Sequence, residues 1–453
     1  MEALSEHRAP LLLLRSEPFG GIVADRFSYK VRFYNHTAFY LIEQIVSSKS
    51  DEDIILAVNK KFDGSENQDI SAHIDICREG LLNFLKDDGP RPIGDDLEES
   101  VPTLKAPLDL ELEITKRCNL SCRHCYNNST SNSLAELPWS YIQAVLAPFI
   151  SDRLRFLTIT GGEPFLHPQF ENVIRMAREV AESVNLSTNG TLVSSRNIDY
   201  LCEYVDTVNI SLDGPTADVH DHFRKCRGAF AKAKRSIGTL ANKGVNVAVQ
   251  TTVFRGNLAL LRDLGKLIQN EGASTWSIRL PLPSGRALQD LEGFFSAEEI
   301  REREEELCSV HDMGFNLKIY AGISVPWSRK ECYQRVENQN SLLACSAGTV
   351  LAAILADQRL TPCILFSGSN YSEPLPDPEN LKLIWRESPY FKRMREIRLH
   401  EIPLCRTCGH YGKICELGCR AKPYLFQGNL SLPDPDCDYY RDRSRLRKAQ
   451  QSP

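Results

Sequence analysis

From Leu108 onward the chain alternates short β-like runs with longer amphipathic ones. Leu108, Leu110, Leu112 and Ile114 recur at every second position, and further strand-like runs fall at 155–160, 184–188, 207–212, 245–253 and 275–281. Between them, apolar residues repeat at helical spacing over 138–150, 168–183, 195–204, 228–243 and 258–270. Repeated βα units predict an α/β fold with a parallel sheet and right-handed crossovers. Six such units over 108–310 suit a partial (β/α)6 barrel, with chemistry at the carboxyl ends of the strands.

Residues 1–88 follow another pattern. Three short β-rich segments (Leu11–Leu14, Gly20–Ala24 and Tyr29–Tyr34) precede three helical ones. Asn35 is placed to cap the first helix, and Ser50 with Asp53 forms a capping-box-like start for Ile54–Phe62. A third helix is predicted over about Ile70–Leu85, giving a winged-helix-like order. Residues 89–107, rich in proline and acidic side chains, read as a linker that lets the first domain swing. Residues 311–453 form a bridging region and a cysteine-rich extension.

Composition narrows the class. The chain has 453 residues, 42% hydrophobic and 25% charged, as in ordinary globular proteins. A net charge of -5 gives no reason to invoke nucleic acid or an anionic membrane. No apolar run reaches a membrane span, and MEALSEHRAP lacks the features of a secretory signal, so a cytoplasmic location is expected. Fifteen cysteines then read as metal ligands rather than disulfides. They cluster: three lie at 118–125 and seven between 345 and 437, while Cys77, Cys202, Cys226, Cys308 and Cys332 are scattered.

Cys118, Cys122 and Cys125 have the spacing C-x3-C-x2-C directly after the first barrel strand. Three thiolates on one loop can hold three irons of a cubane [4Fe–4S] cluster and leave the fourth iron open. A structural zinc loop normally supplies four ligands instead. With Gly161-Gly162-Glu163-Pro164 after the second strand, the chain resembles the radical SAM superfamily. That resemblance implies that the open iron chelates S-adenosylmethionine (SAM), which is reductively cleaved to a 5′-deoxyadenosyl radical. It also implies roles for single residues. Gly161 and Gly162 would let backbone approach the methionyl group, and Glu163 would accept from its ammonium. Ser187, Asn189, Ser211 and Asp213 would contact ribose or methionine, Arg224 the carboxylate, and the backbone at His124 the adenine. Arg279 and Arg286 either line the cavity or pack along a barrel rim. Cys226 reads as a solvent-facing thiol and His167 as structural.

The second cysteine set resembles the SPASM extension of radical SAM enzymes, on Cys345-Ser346-Ala347-Gly348, Pro362-Cys363, Gly418-Cys419-Arg420-Ala421 and Pro433-Asp434-x2-Cys437. The likeness implies two auxiliary [4Fe–4S] clusters, three clusters in all. Cys345, Cys363 and Cys419 would hold the first; Cys405, Cys408, Cys415 and Cys437 the second. The fourth ligand of the first cluster is Cys332, a non-cysteine residue, or nothing from this chain. An open iron there could bind a substrate thiolate; a closed one would only relay electrons.

Gly20-Gly21, Phe33-Tyr34-Asn35-x-Thr37-Ala38 and the helix ending at Phe62-Asp63 resemble the peptide-recognition domain of ribosomal-peptide maturases, similar to the small chaperone of pyrroloquinoline quinone biosynthesis. The likeness implies that a leader peptide adds as a strand at Tyr29–Tyr34, facing the third helix. A buttressing domain is the alternative. The whole arrangement looks most like the sactipeptide-type thioether synthases. It implies an oxidoreductase that modifies a precursor peptide, with an external donor such as flavodoxin or ferredoxin. Alternatives are carbon–carbon cross-linking, oxidative decarboxylation, formylglycine-type maturation of a protein, or a leader-binding or electron-transfer scaffold with degenerate SAM chemistry.

Overall fold

The structure is a computed structural model, and it describes residues 12–26, 31–47, 49–62, 70–86, 102–282, 284–289, 299, 314–321, 345–397, 402, 405 and 418–435. The chain parts at Ala106 and Pro107 into two compact units.

In the first unit, β1 (Leu12–Glu17), β2 (Gly20–Asp25) and β3 (Val31–Asn35) form an antiparallel sheet in the order β1-β2-β3. Helices α1 (His36–Val46), α2 (Asp51–Lys61) and α3 (Ile70–Lys86) follow. Both expected caps form: Ala38 N donates to Asn35 Oδ1 at 2.9 Å, and Asp53 N donates to Ser50 Oγ at 3.2 Å. Phe39, Ile42, Ile54, Ile74 and Leu81 share one core with Val23 and Tyr34. The first strand runs further than its apolar run suggests. Its charged end is buried because Arg15 and Glu17 pair at 2.6 Å. Arg15 also donates to Ala106 O at 2.8 Å, and Lys105 N donates to Glu17 at 2.7 Å. Leu104 and Ala106 are fully buried. The end of the expected linker is therefore pinned to the first unit, and its stretch from 89 to 101 lies outside the described residues.

In the second unit, β4 (Asp109–Glu113), β5 (Leu154–Thr160), β6 (Ala181–Thr188), β7 (Thr207–Ser211), β8 (Asn246–Thr252) and β9 (Thr275–Arg279) are parallel and lie side by side in chain order. β10 (Lys318–Ala321) extends one edge, and β11 (Leu351–Leu355), β12 (Arg359–Thr361) and β13 (Glu373–Pro374) extend the other, giving ten strands among the described residues. The intervening helices are α4 (Trp139–Leu146), α5 (Phe170–Val180), α6 (Ile198–Tyr204), α7 (Ala217–Arg224), α8 (Ala229–Asn242) and α9 (Leu261–Asn270). Crossovers of one hand between successive neighbours put the helices on one face and leave the other open, as in a partial barrel.

Two expected helices are cut short, and one helix was not expected. The helix expected over 168–183 ends at Val180, because Ala181 already pairs with Leu154 in the sheet. The helix expected over 138–150 breaks at Pro148. Helix α7 had no apolar periodicity to betray it: it buries His220, Phe223 and Arg224. Among the described residues, no helix is long and apolar enough to cross a membrane.

The strands are apolar mainly on the helix side. Leu110, Leu112, Leu157, Ile159, Val184, Leu186, Val208 and Ile210 are fully or almost fully buried there. Each such side chain stabilises the fold by about 1.5–3 kcal/mol. The opposite face carries Glu111, Thr158 and Asn185 in one register, Ser187 and Asn209 in a second, and Ser211, Gln250 and Ser277 in a third. A parallel strand covered on both faces reads as a continuous apolar run. This alternation marks a polar inner surface instead.

Candidate functional site

Beyond β4, the chain turns into the loop that carries Cys118, Cys122 and Cys125. Two backbone hydrogen bonds lock it to the turn after β5: Gly162 N donates to Thr115 O at 2.7 Å, and Glu163 N to Arg117 O at 2.8 Å. A Cβ on Gly161 would meet Thr115 O at 2.5 Å, and one on Gly162 would meet Arg117 O at 2.4 Å. The close approach that these glycines permit is thus between two segments of the chain itself.

Arg286 clamps the loop from the other side. Its Nε donates to Cys122 O and its Nη1 to Ser129 O, each at 2.9 Å, while its backbone N donates to Cys125 O. Gly285, at φ +60°, allows this, since a Cβ there would fall 2.3 Å from Cys125 O. Arg286 therefore neither lines a cavity alone nor merely packs; it positions the cysteine loop. Arg279, the other arginine in question, is exposed and donates to Ser277 Oγ at 3.2 Å.

Cys118 and Cys122 are buried and Cys125 half-buried, and none forms a disulfide. Leu120 N donates to Cys118 Sγ at 3.4 Å, Asn189 Nδ2 to the same sulfur at 3.9 Å, and Arg224 Nη1 to Cys122 Sγ at 3.8 Å. Burial pushes the Cys118 thiol up to about 12 and also raises Cys122, which Arg224 partly pulls back. A metal displaces those protons, since the thiolate is the ligand.

Of the residues named for SAM, some are committed to the chain and others are open. Glu163 has no exposure; it accepts from Thr188 Oγ1 at 2.7 Å and Asn189 N at 2.8 Å, and burial pushes it up to about 7. Asn189 Oδ1 accepts from Thr191, and its Nδ2 donates to Asn119 Oδ1 at 2.9 Å, tying the turn after β6 to the cysteine loop. Asp213 is fully buried; burial pushes its carboxyl up, but Arg224, His124 and His220 outweigh that and hold it below the usual range. It receives Arg224 Nε at 2.5 Å and Thr252 N at 2.9 Å. Ser187 and Ser211 are half-buried on the polar inner face. His124 stacks on Phe223 (centroids 4.4 Å apart, planes 4° apart), which stacks on Phe254. Burial drives its imidazole down to about 3, and its buried Nδ1 has no hydrogen-bond partner.

His167 is structural as expected: its Nε2 donates to Leu137 O at 2.9 Å, and its Nδ1 accepts from Gln169 N. Cys226 departs from expectation. It is half-buried and packs against the group formed by Cys118, Leu120 and Cys122. Sequence reasoning also passed over Arg286 as a clamp, over Asn119, and over the polar inner face. The last was readable from the alternation in LTIT, NLST and VQTT.

Near β11, Cys345, Cys363 and Cys419 meet in one core with Phe366, Tyr371 and Met394. Each of Cys345 and Cys419 adds to the burial that raises Cys363. Glu111 on β4 accepts from Ile364 N at 2.8 Å and so anchors the turn after Cys363 to the barrel. Cys405 is described apart from this group, and Cys332, Cys408, Cys415 and Cys437 lie outside the described residues. Among the described residues, no three His, Cys, Asp or Glu converge on a single metal ion. A cubane does not require that, because each thiolate binds its own iron.

Residues 112–258 match the radical SAM superfamily. The AdoMet-dependent heme synthase of Oleidesulfovibrio alaskensis is 30% identical over 360 residues, covering 76% of this chain and 89% of that protein. The chain belongs to the radical SAM superfamily. Mycofactocin maturase MftC of Mycobacterium ulcerans is 29% identical over 350 residues, 75% of this chain and 90% of its own. The crystal structure of Streptococcus suis SuiB bound to precursor peptide SuiA has the same fold, with a TM-score of 0.68 at 16% identity, over 95% of this chain and 99% of that one.

Membership of the radical SAM superfamily implies a [4Fe–4S] cluster and SAM. The residues fit that pair. Three thiols without disulfides receive N–H donors on two sulfurs, and a buried ring nitrogen, His124 Nδ1, stands unpartnered beside them.

Proposed function

We propose that this protein is a radical SAM maturase of a ribosomally made precursor peptide, and that it forms an intramolecular sulfur-to-carbon thioether. The observation that carries the peptide reading is the outer edge of β3, which pairs only with β2 among the described residues. Helix α3 borders that edge: Arg32 on β3 donates to Gly80 O at 3.0 Å, and its guanidinium lies 5.2 Å from the Phe84 ring. Ile76, one turn before Gly80, is 47% exposed. An extended leader adding to β3 gains main-chain hydrogen bonds and finds an apolar wall on α3. The likeness to SuiB over 95% of the chain supports this reading, and the mycofactocin maturase is a second maturase among the relatives.

In the barrel, Cys118, Cys122 and Cys125 hold the SAM-binding cluster. Arg224, oriented by Asp213, offers its remaining nitrogen to a carboxylate, where a guanidinium fork suits best. Ser187 and Ser211 offer hydroxyls from the inner face, and His124 with Phe223 offers a flat surface and one ring nitrogen. Glu163 and Asn189 hold the turns that frame this space, and Gly161 and Gly162 bring those turns together. When bound, the cluster and SAM supply the carbon radical that removes hydrogen from the peptide. Cys345, Cys363 and Cys419 hold a first auxiliary cluster, and Cys405, Cys408, Cys415 and Cys437 a second. The reductant is flavodoxin or ferredoxin, and the location is cytoplasmic.

A second reading has a specific observation behind it: the 30% identity to a heme synthase. That match covers 76% of this chain, as the match to the mycofactocin maturase covers 75%, whereas the likeness to SuiB covers 95%. Mass spectrometry of a co-expressed precursor, ideally the peptide encoded beside this gene, separates the readings. A loss of two hydrogens together with protection of a cysteine from alkylation is the expected result. Heme produced by the same enzyme, with the peptide mass unchanged, would favour the second reading. Removing residues 1–86 should weaken leader binding while SAM cleavage continues without peptide; equal binding without them would end the recognition role.

A further inference from the structure

A cleft of about 770 Å³ opens beside the cysteine loop, and its charge is unlike that of the chain. The whole protein carries a net charge of -5, yet Arg123, Lys225, Arg227 and Arg286 line this one opening, with His222 among them. Its one carboxylate, Asp221, is already engaged, accepting from Gly228 N and Phe230 N at the start of α8. None of the cluster cysteines, nor Glu163, Ser187, Asp213 or Arg224, lines the cleft; of the residues described above, only Arg286 and Cys226 do.

The cleft nevertheless reaches the cluster loop by three routes. Arg123 stands between Cys122 and Cys125 in the chain. Arg286 donates to Cys122 O at 2.9 Å. Arg224, whose Nη1 reaches Cys122 Sγ at 3.8 Å, is followed directly by Lys225 and by Cys226, which packs toward the same cysteines. Lys225 closes α7 in the left-handed region, at φ 52°, where glycine or asparagine would be easier. That turn sends Arg224 inward and places Lys225 and Arg227 at the cleft, both exposed.

We propose that this cleft is the docking surface of a small acidic electron-carrier protein, which delivers the electron for the cluster at Cys118, Cys122 and Cys125. The proposal rests on the cluster reading above. Weak electron-transfer contacts are small and are steered by complementary charge, which a ring of cations around one opening provides. A nucleic acid asks instead for a long basic stripe. The electron balance is simple. A flavin hydroquinone on the carrier loses one electron and one proton to become the neutral semiquinone, the cluster gains the electron, the proton goes to solvent, and no other bond changes.

Stopped-flow reduction of the cluster-loaded enzyme by flavodoxin hydroquinone tests this, with photoreduced 5-deazariboflavin as an uncharged control donor. In the wild type, the flavodoxin rate should fall about tenfold between roughly 50 and 500 mM salt, while the control rate stays level. Lys225→Glu with Arg227→Glu should slow flavodoxin about tenfold at low salt, remove most of the salt dependence and spare the control. Arg227→Glu alone should act in the same direction, and Lys225→Arg should match the wild type. A salt-independent wild-type rate, unchanged flavodoxin rates in both charge-reversed variants, or equal slowing with both donors would overturn the docking site. A protein that gains no [4Fe–4S] absorbance would instead overturn the cluster reading, and the docking proposal with it.

Discussion

Glu163 shows how one buried carboxyl carries a pH dependence. Its folded value near 7 stands above its ordinary 4.5 because burial disfavours the charge more than Asn189 N and Thr188 Oγ1 favour it. Below pH 4.5 both folded and unfolded chains hold the proton, and the group's contribution is fully present. As pH rises toward 7 the unfolded chain ionises first, so on the order of 3 kcal/mol is lost across that window. The melting temperature of the iron-free protein should therefore drop between pH 5 and pH 8, and Glu163→Gln should flatten that drop and raise the value at pH 8. A variant as pH-sensitive as the wild type would refute this account. Arg286 makes a different kind of contribution, through two donors on the carbonyls of Cys122 and Ser129. Each such charged hydrogen bond is worth about 1.5–3 kcal/mol. Arg286→Ala should lose iron faster to a chelator, read as decay of the cluster absorbance, and lysine, which lacks the fork, should restore little.

At the scale of elements, the two strand-end turns after β4 and β5 meet through Gly161 and Gly162. Gly162→Ala puts a methyl group into backbone that cannot step aside, 2.4 Å from Arg117 O and 2.8 Å from Lys116 O. Overpacking of that sort costs about 1–3 kcal/mol. A lower melting temperature and less iron bound on reconstitution are the expected readings; an unaltered variant would mean that the turns separate freely. In the first unit, Ile76 is exposed on α3, one turn before Gly80, whose carbonyl accepts from Arg32 on β3. Ile76→Asp should weaken leader binding about tenfold, equal to about 1.4 kcal/mol, without shifting the melting temperature. Calorimetric titration with the leader alone would show it.

Across the whole molecule, Cys345, Cys363 and Cys419 share a C-terminal core whose members come from four stretches of chain, 345–351, 363–371, 390–397 and 419–430. Metal binding couples to folding in such a region, because the ligand set does not exist in the unfolded chain. Iron removal should raise amide exchange at 345–351 and 418–435, while the first unit, with its own apolar core of Phe39, Ile42, Ile54 and Leu81, keeps its protection. Uniform protection before and after iron removal would show that the core does not depend on the metal.

The alternation of short apolar and polar positions was enough to place β4 to β9, because the strands bury one face against helices and that period is written locally. The cap residues Asn35 and Ser50 were legible for the same reason: each acts on an amide only three residues away. Local sequence also fixed the spacing of Cys118, Cys122 and Cys125. It could not say what Glu163, Asn189 and Asp213 touch, since their partners lie on other strands, nor that Arg15 and Glu17 bury their charges together. Helix α7 was hidden because its buried side chains include a histidine and an arginine rather than an apolar stripe. The convergence of Cys345, Cys363 and Cys419 was legible only through the resemblance to the SPASM extension, and the basic cleft beside the cysteine loop was decided by tertiary structure alone. Both join residues far apart in the chain, and only packing sets such distances.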